Sequence, residues 1–207
     1  MSFMQNFCTL YIVRHGETEW NVKKIIQGNE DIPLNKKGES QAKELAKKLR
    51  HIKFDVIFSS DLIRAKRTAE IINIEKKLIV QTTKALKERY FGKYQGKSFA
   101  VNNEMIKLIN NLKMFTGPGL KEVETDESII LRLTTFLREI AVAYSNKTVL
   151  IVSHGGPMRT LLIHLGFANY DNFTEGHINN LAYIKLKSDG VEFFVEETKG
   201  IKIKKSS

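Results

Sequence analysis

Apolar residues along this chain fall into two spacings, and the two alternate. Residues 8–13 form a nearly continuous apolar run ending in Arg14-His15-Gly16, the pattern of a strand buried on both faces that delivers polar groups at its carboxyl end. Asn35 can cap a helix whose Ala42, Leu45, Ala46 and Leu49 share one face. Residues 54–58 predict the next strand. Ser59-Ser60-Asp61 then predicts a helix start leading to Ile63, Ala65, Ala69 and Ile72. A weaker strand is expected at 78–81, and periodicity is broken from 85 to 118. A long helix over 126–144 presents Ile130, Leu133, Leu137, Ile140 and Ala141, followed by a buried strand at 148–152 that ends in Ser153-His154-Gly155. The helix after it carries Pro157 in its first turn and Met158, Leu161, Leu162 and Leu165 along one side. Residues 181–186 and 191–196 flank Ser188-Asp189-Gly190 and predict a closing antiparallel hairpin. Alternating strands and helices predict a three-layer α/β/α sandwich with a mostly parallel central sheet, its ligands bound beyond the carboxyl ends of the strands. The expected organisation is one domain, 1–207, with a small cap insertion at roughly 89–125.

Composition narrows the class without changing that picture. At 207 residues, 42% hydrophobic and 27% charged, the chain can bury a full core, and it has no long polar tract suggesting disorder. Its apolar runs are strand-sized, so no membrane span is expected. The first residues lack an early Lys or Arg and do not read as a signal peptide, which makes a cytoplasmic location the default expectation. Cys8 stands alone at the start of a strand and reads as a buried structural thiol. A net charge of +10 favours anionic ligands, but the lysines are dispersed and lack the aromatic interleaving of a nucleic-acid module. The expected partner is a small phosphorylated metabolite, with no nucleic acid and no membrane; a homodimer is left open.

Candidate chemistry gathers at three strand ends. Arg14-His15-Gly16 joins a fixed cation, an imidazole and a flexible turn, which suits a phosphoryl group and its nucleophile. Val152-Ser153-His154-Gly155-Gly156 repeats the arrangement, and glycines at a helix start can aim N–H groups at an anion. Arg64 sits in the first turn of the helix after a third strand. Each motif alone has an ordinary structural reading: a partly buried histidine, a glycine turn, an exposed arginine. His51, His164 and His177 are read as structural, and Met158 and Phe167 as core. No metal-ligand spacing and no cofactor motif is seen.

Together the motifs resemble the histidine phosphatase superfamily, the phosphoglycerate-mutase-like clan, over essentially the whole chain. The pieces, in order, are Arg14-His15-Gly16-Glu17-Thr18 with Trp20-Asn21, Gln27-Gly28 with Asp31-Ile32-Pro33-Leu34, the stretch 59–69, the stretch 86–92 with Gly96, Glu124-Thr125 with Arg132, and 152–157. The resemblance implies that His15 attacks phosphorus and becomes a phosphohistidine, while Arg14, Arg64 and His154 hold the phosphoryl oxygens. It implies further hydrogen bonds from Asn21 and the Gly155 backbone, Gln27 and Gly28 at the pocket edge, and Glu88 as the proton donor. Phosphoryl transfer asks mainly for positioning and charge, so such a site can work without a metal. A carboxyl beside a dianion also holds its proton more tightly, as an acid near neutral pH must; outside the motif, Glu88 reads as a surface partner of Lys87 or Arg89.

Within the family, mutases carry a longer insertion with paired arginines, whereas no arginine lies here between Arg89 and Arg132. Gln27-Gly28 resembles the phosphatase branches, and compact members include broad-specificity phosphatases, α-ribazole phosphatases and fructose-bisphosphatase relatives. Hydrolysis of a phosphomonoester is therefore expected, with a cofactor-dependent phosphoglycerate mutase as the alternative. A non-catalytic phospholigand-binding module is more distant, since no pocket residue is missing. Substrate choice is expected from the cap, where Tyr90, Phe91, Tyr94, Met105 and Phe115 can form an apolar wall and Lys93, Lys97, Lys107 or Lys113 can meet a second anion.

Overall fold

In the computed structural model, residues 6–98, 122–173 and 178–203 are described. The expectations for Met105, Lys107, Lys113, Phe115 and His177, and for most of the cap insertion, lie outside them. The strands are β1 (Cys8–Arg14), β2 (Val56–Ser60), β3 (Val80–Thr83), β4 (Thr148–Ser153), β5 (Ile178–Ser188) and β6 (Phe193–Ile201). The helices are α1 (Glu19–Val22), α2 (Lys36–Lys48), α3 (Ile63–Asn73), α4 (Asp126–Ala143), α5 (Gly155–His164) and α6 (Tyr170–Phe173).

The six strands form one sheet in the order β3-β2-β4-β1-β5-β6. Pairings β2·β3, β2·β4 and β1·β4 are parallel, and β5 and β6 close the sheet antiparallel. Period-two alternation divides the strand residues between two cores. Cys8, Leu10 and Ile12 join Phe58, Val149 and Ile151 beneath Leu133, Leu137, Met158 and Leu161 of α4 and α5. Tyr11 and Val13 join Ile57, Leu150 and Val152 beneath Leu45, Ala65 and Ala69 of α2 and α3. Covering both faces is why β1 and β4 read as unbroken apolar runs, and each such Leu, Ile or Val contributes about 1.5–3 kcal/mol by burial. The expected three-layer arrangement is therefore present.

Local corrections are few and physical. Ser59 and Ser60 finish β2 instead of opening a helix. Leu62 occupies the cap position of α3 with no side-chain cap of its own, and Asp31 Oδ1 accepts from Ile63 N at 2.6 Å from a distant loop. Asn35 does cap α2, its Oδ1 accepting from Gly38 N at 2.7 Å. On α4 the buried position is Ile129, with Ile130 only half-buried. Phe167 is 43% exposed, and Phe173 is the buried aromatic instead. His51 and His164 are exposed. Cys8 is fully buried, and burial pushes its thiol up to about 11. Among the described residues no helix is long and apolar enough to cross a membrane.

Candidate active site

Parallel pairing of β1 with β4 sets Arg14 opposite Ser153, and His15 N donates to Ser153 O at 3.0 Å. The next residues along the two strands, His15 and His154, thus leave the sheet side by side, with ring centroids 5.1 Å apart. Both rings are buried. The turn after His15 fits because two glycines remove side chains where backbones meet. A Cβ on Gly16 would lie 2.6 Å from Gly38 O, and one on Gly38 would lie 2.1 Å from Glu17 O. The loop is fixed to the start of α2 by Glu17, whose N donates to Gln41 Oε1 at 3.0 Å and whose Oε1 accepts from Asn35 at 3.1 Å.

His15 Nδ1 lies 2.7 Å from Gly16 O. A carbonyl can only accept, so Nδ1 carries the proton and Nε2 of the neutral ring presents its lone pair. The ring is neutral because burial, then the charges of Arg64 and Arg14, hold His15 well below the usual 6.5. His154 is held down by burial, Arg64, His15 and Arg14 in that order.

Arg64 is fully buried. It donates Nη1 to Glu30 O and Nη2 to Gly28 O, both at 2.7 Å, and burial lowers it to about 10, still cationic at neutral pH. Arg14 Nη1 donates to Ile178 O. The Nε atoms of Arg14 and Arg64 and both ring nitrogens of His154 are buried without a partner. A buried donor left unpaired costs about 1–3 kcal/mol, so the two guanidinium N–H groups and the one N–H of the neutral His154 ring, left unpaired around His15, mark a place built for an anion.

Glu88 stands opposite. Its Oε1 accepts from Arg89 N at 2.8 Å and its Oε2 from Gly156 N at 3.2 Å, and its charge supports the cationic forms of Arg14 and Arg64. Neither surface partner expected of it is taken: Lys87 pairs with Asp61 at 3.4 Å, and buried Arg89 pairs with Asp126 and donates to Glu124 O at 2.7 Å. Of the two glycines expected to face an anion, Gly156 thus gives its N–H to Glu88. Gly155 lies in the first turn of α5 against Arg14, where a Cβ would meet Nε at 3.4 Å.

Asn21 and Gln27 both turn to Thr18. Asn21 Oδ1 accepts from Thr18 N at 3.1 Å, and Thr18 Oγ1 lies 3.0 Å from Gln27 Oε1. Asn21 therefore has its amide NH2 left for a ligand. Gly28 lies beneath Arg64 through its carbonyl. The beginning of the expected cap is fastened here too, because Ile26 N donates to Lys97 O at 3.0 Å and Gln95 Oε1 accepts from Asn29 N at 2.9 Å. Tyr90 is 45% exposed, joined to Glu124 through its backbone, and Lys93 and Lys97 flank the Tyr94 ring. Glu124 holds Arg132 through both carboxylate oxygens, at 2.7 and 3.0 Å, as the sequence pairing suggested.

Two residues of the site were given no role by the sequence, Thr68 within the 59–69 motif and Asn180 outside every motif. Thr68 Oγ1 accepts from Gly16 N at 3.1 Å, and Asn180 Nδ2 donates to His15 O at 3.0 Å. Thr68 reads as one more polar position on α3, and Asn180 as half of a polar pair at a strand start.

A neutral histidine with a free Nε2, two guanidiniums, a second imidazole and a facing carboxyl make up a site suited to phosphoryl transfer. Sequence comparison agrees: the profile of the histidine phosphatase superfamily (branch 1) matches residues 10–199. An uncharacterized phosphatase, PhoE, of Bacillus subtilis (strain 168) is 39% identical over 154 residues, covering 74% of this chain and 75% of the relative. The structure of YhfR from Bacillus stearothermophilus superposes with a TM-score of 0.82 at 27% identity, covering 93% of this chain and 96% of that one. Phosphoserine phosphatase of Entamoeba histolytica, solved with 3-phosphoglyceric acid, superposes with a TM-score of 0.78 at 27% identity and covers 93% and 96%. Proteins named phosphoglycerate mutase also match. The chain belongs to the histidine phosphatase superfamily.

Proposed function

We propose that this phosphatase hydrolyses a small phosphorylated metabolite through a covalent phosphohistidine at His15. The observation that carries the proposal is the pairing of a neutral His15, its Nε2 free, with four buried unpartnered nitrogens on Arg14, Arg64 and His154. In the first step Nε2 bonds to phosphorus as the phosphorus–oxygen ester bond breaks. Protonated Glu88 gives its proton to the departing alkoxide. Arg14, Arg64 and His154, with Asn21 and the Gly155 N–H, meet the equatorial oxygens, and charge spread over those oxygens is what these groups stabilise. In the second step Glu88 takes a proton from water, the water oxygen bonds to phosphorus, and the phosphorus–nitrogen bond breaks to release inorganic phosphate and free His15.

Gln27 and Gly28 form the pocket edge, and the described start of the insertion, 89–98, is fastened beside them. Tyr90 lies two residues from Glu88 and supplies an apolar contact to the leaving group, while Lys93 and Lys97 favour a substrate bearing a second negative charge. Hydrolysis is preferred over mutase chemistry because the span from Arg89 to Arg132 contains no arginine to grip a second phosphate. The test is phosphate release from an aryl phosphate with chelator present, run beside an isomerisation assay on 3-phosphoglycerate. Hydrolysis abolished by His15→Ala is expected. Strict dependence on added metal, activity surviving that substitution, or isomerisation outpacing hydrolysis overturns the proposal.

A further inference from the structure

The peptide linking His15 to Gly16 is gripped at both ends. Its carbonyl, His15 O, accepts from Asn180 Nδ2 at 3.0 Å; its N–H, Gly16 N, donates to Thr68 Oγ1 at 3.1 Å. Those two atoms are the entire polar content of one planar unit, and a plane held by a donor on one edge and an acceptor on the other cannot rotate. The next carbonyl along, Gly16 O, is the one that takes the proton of His15 Nδ1. Its direction is set relative to that held peptide by the φ and ψ of Gly16, which the close approach of the Gly38 backbone confines.

Each grip is itself fixed. Thr68 Oγ1 donates to Arg64 O at 2.7 Å, so its lone pair faces Gly16 N and its hydroxyl also ties the loop to the backbone of a phosphate-site arginine. Asn180 Nδ2 lies 3.5 Å from Asn21 Oδ1, the oxygen already committed to Thr18 N. That leaves Asn180 its NH2, not its carbonyl, to offer the loop. Asn180 can reach inward because Leu181, the following residue, is in the left-handed region at φ +58° and the pairing of β5 with β6 shifts register between Ile178 and Tyr183. A non-glycine residue held there is strained, and the kink interrupts strand alternation at the residue facing the catalytic loop.

We infer that Asn180 and Thr68 are positioning residues that clamp the His15–Gly16 peptide from opposite sides and so keep His15 in the tautomer whose Nε2 is the nucleophile. This rests on the proposal that His15 is the nucleophile. Neither residue touches the phosphoryl group; each acts through the direction of Gly16 O. Losing one grip lets the carbonyl swing and the imidazole populate the other tautomer, in which Nε2 carries the proton and has no lone pair to give.

The test combines kinetics with the 15N resonances of His15. Thr68→Val and Asn180→Leu each remove one grip, Thr68→Ser restores the hydroxyl, and Thr134→Val removes an equivalent hydroxyl-to-helix bond, Thr134 Oγ1 to Ile130 O at 2.6 Å, remote from His15. Expected is a roughly fivefold to tenfold loss of kcat for Thr68→Val and Asn180→Leu with KM little changed, the factor one hydrogen bond carries. Nδ1 keeps its protonated-type signal in wild type, Thr68→Ser and Thr134→Val, and shifts toward a mixture in the two clamp variants. Unaltered resonances in folded Thr68→Val and Asn180→Leu overturn the inference. So does a loss of kcat in Thr134→Val that matches theirs. Failure of the nucleophile assignment shows separately, as absence of acid-labile label on His15 in the wild-type enzyme.

Discussion

Replacing Gly156 with alanine separates the acid from the rest of the site. A Cβ there would lie 2.2 Å from Glu88 Oε1 and 3.2 Å from its Cδ, while its next neighbour, Arg89 Cβ, is at an ordinary 3.7 Å. The carboxyl must retreat by roughly 1 Å to reach van der Waals distance, which also breaks its bond to Gly156 N. Gly156 does not have a positive φ, and the obstructing atom ends a flexible side chain. Gly156 stands directly before Pro157 in the first turn of α5, and the proline ring crowds a Cβ on the preceding helical residue, so alanine's helix preference is offset and the variant should melt modestly below wild type while remaining folded. A displacement of about 1 Å at a reacting group costs up to 10²-fold in rate. The loss should depend on the leaving group: 4-nitrophenolate departs without a proton and an alkoxide does not. We expect kcat/KM for an alkyl phosphate to fall by about 10²-fold and for 4-nitrophenyl phosphate by less than about tenfold. Equal losses on the two substrates, or no loss on either, would refute the role given to Glu88.

Protonation of His15 should abolish attack, and because burial and the two arginines hold it well below 6.5, the acid limb of kcat/KM should lie below pH 6.5 and move to higher pH in Arg64→Gln. The same shifts make stability pH-dependent: below about 6.5 the unfolded chain takes up protons that buried His15 and His154 refuse, so the melting temperature falls as pH drops and these groups contribute no slope above it. Arg89→Leu removes the buried cation bonded to Asp126 and should cost about 3 kcal/mol in urea unfolding, the low end for a broken buried pair, because Asp126 keeps a bond from Tyr170 at 2.5 Å and the charge of nearby Arg159. Cys8, raised to about 11 and buried in the core, should resist a chromogenic disulfide reagent at pH 8 until the protein unfolds.

The parts of this molecule that could be read in its sequence are those decided by neighbours along the chain. The cap at Asn35, the apolar period of α2, and the fully buried pattern of β1 and β4 each depend on a few consecutive residues. The order of the motifs around His15, Arg64, Glu88 and His154 then narrows the chemistry further than any one of them. What could not be read depends on groups that meet only after folding. Asp31 caps α3 from another loop. Arg89 looks like a surface companion of Glu88, yet its partner Asp126 opens a helix on the far side of the insertion. Thr68 and Asn180 are ordinary polar residues until β5 and α3 bring them to the two edges of one peptide. Phe167 reads as core yet lies exposed, while Phe173 is buried, because hydrophobicity alone says nothing about which of two nearby phenylalanines the core takes.

The strand order has a consequence for how the enzyme comes into being. β1 leads directly into His15 and is made before the other strands, yet both its neighbours in the sheet, β4 and β5, come from the last third of the chain. β2 and β3 can associate early, but β1 has to wait on the ribosome, apolar on both faces, until more than a hundred further residues have been translated. The pairing of His15 with His154 is thus among the last features to form, so a truncated or stalled chain exposes an aggregation-prone strand instead of a partly built site.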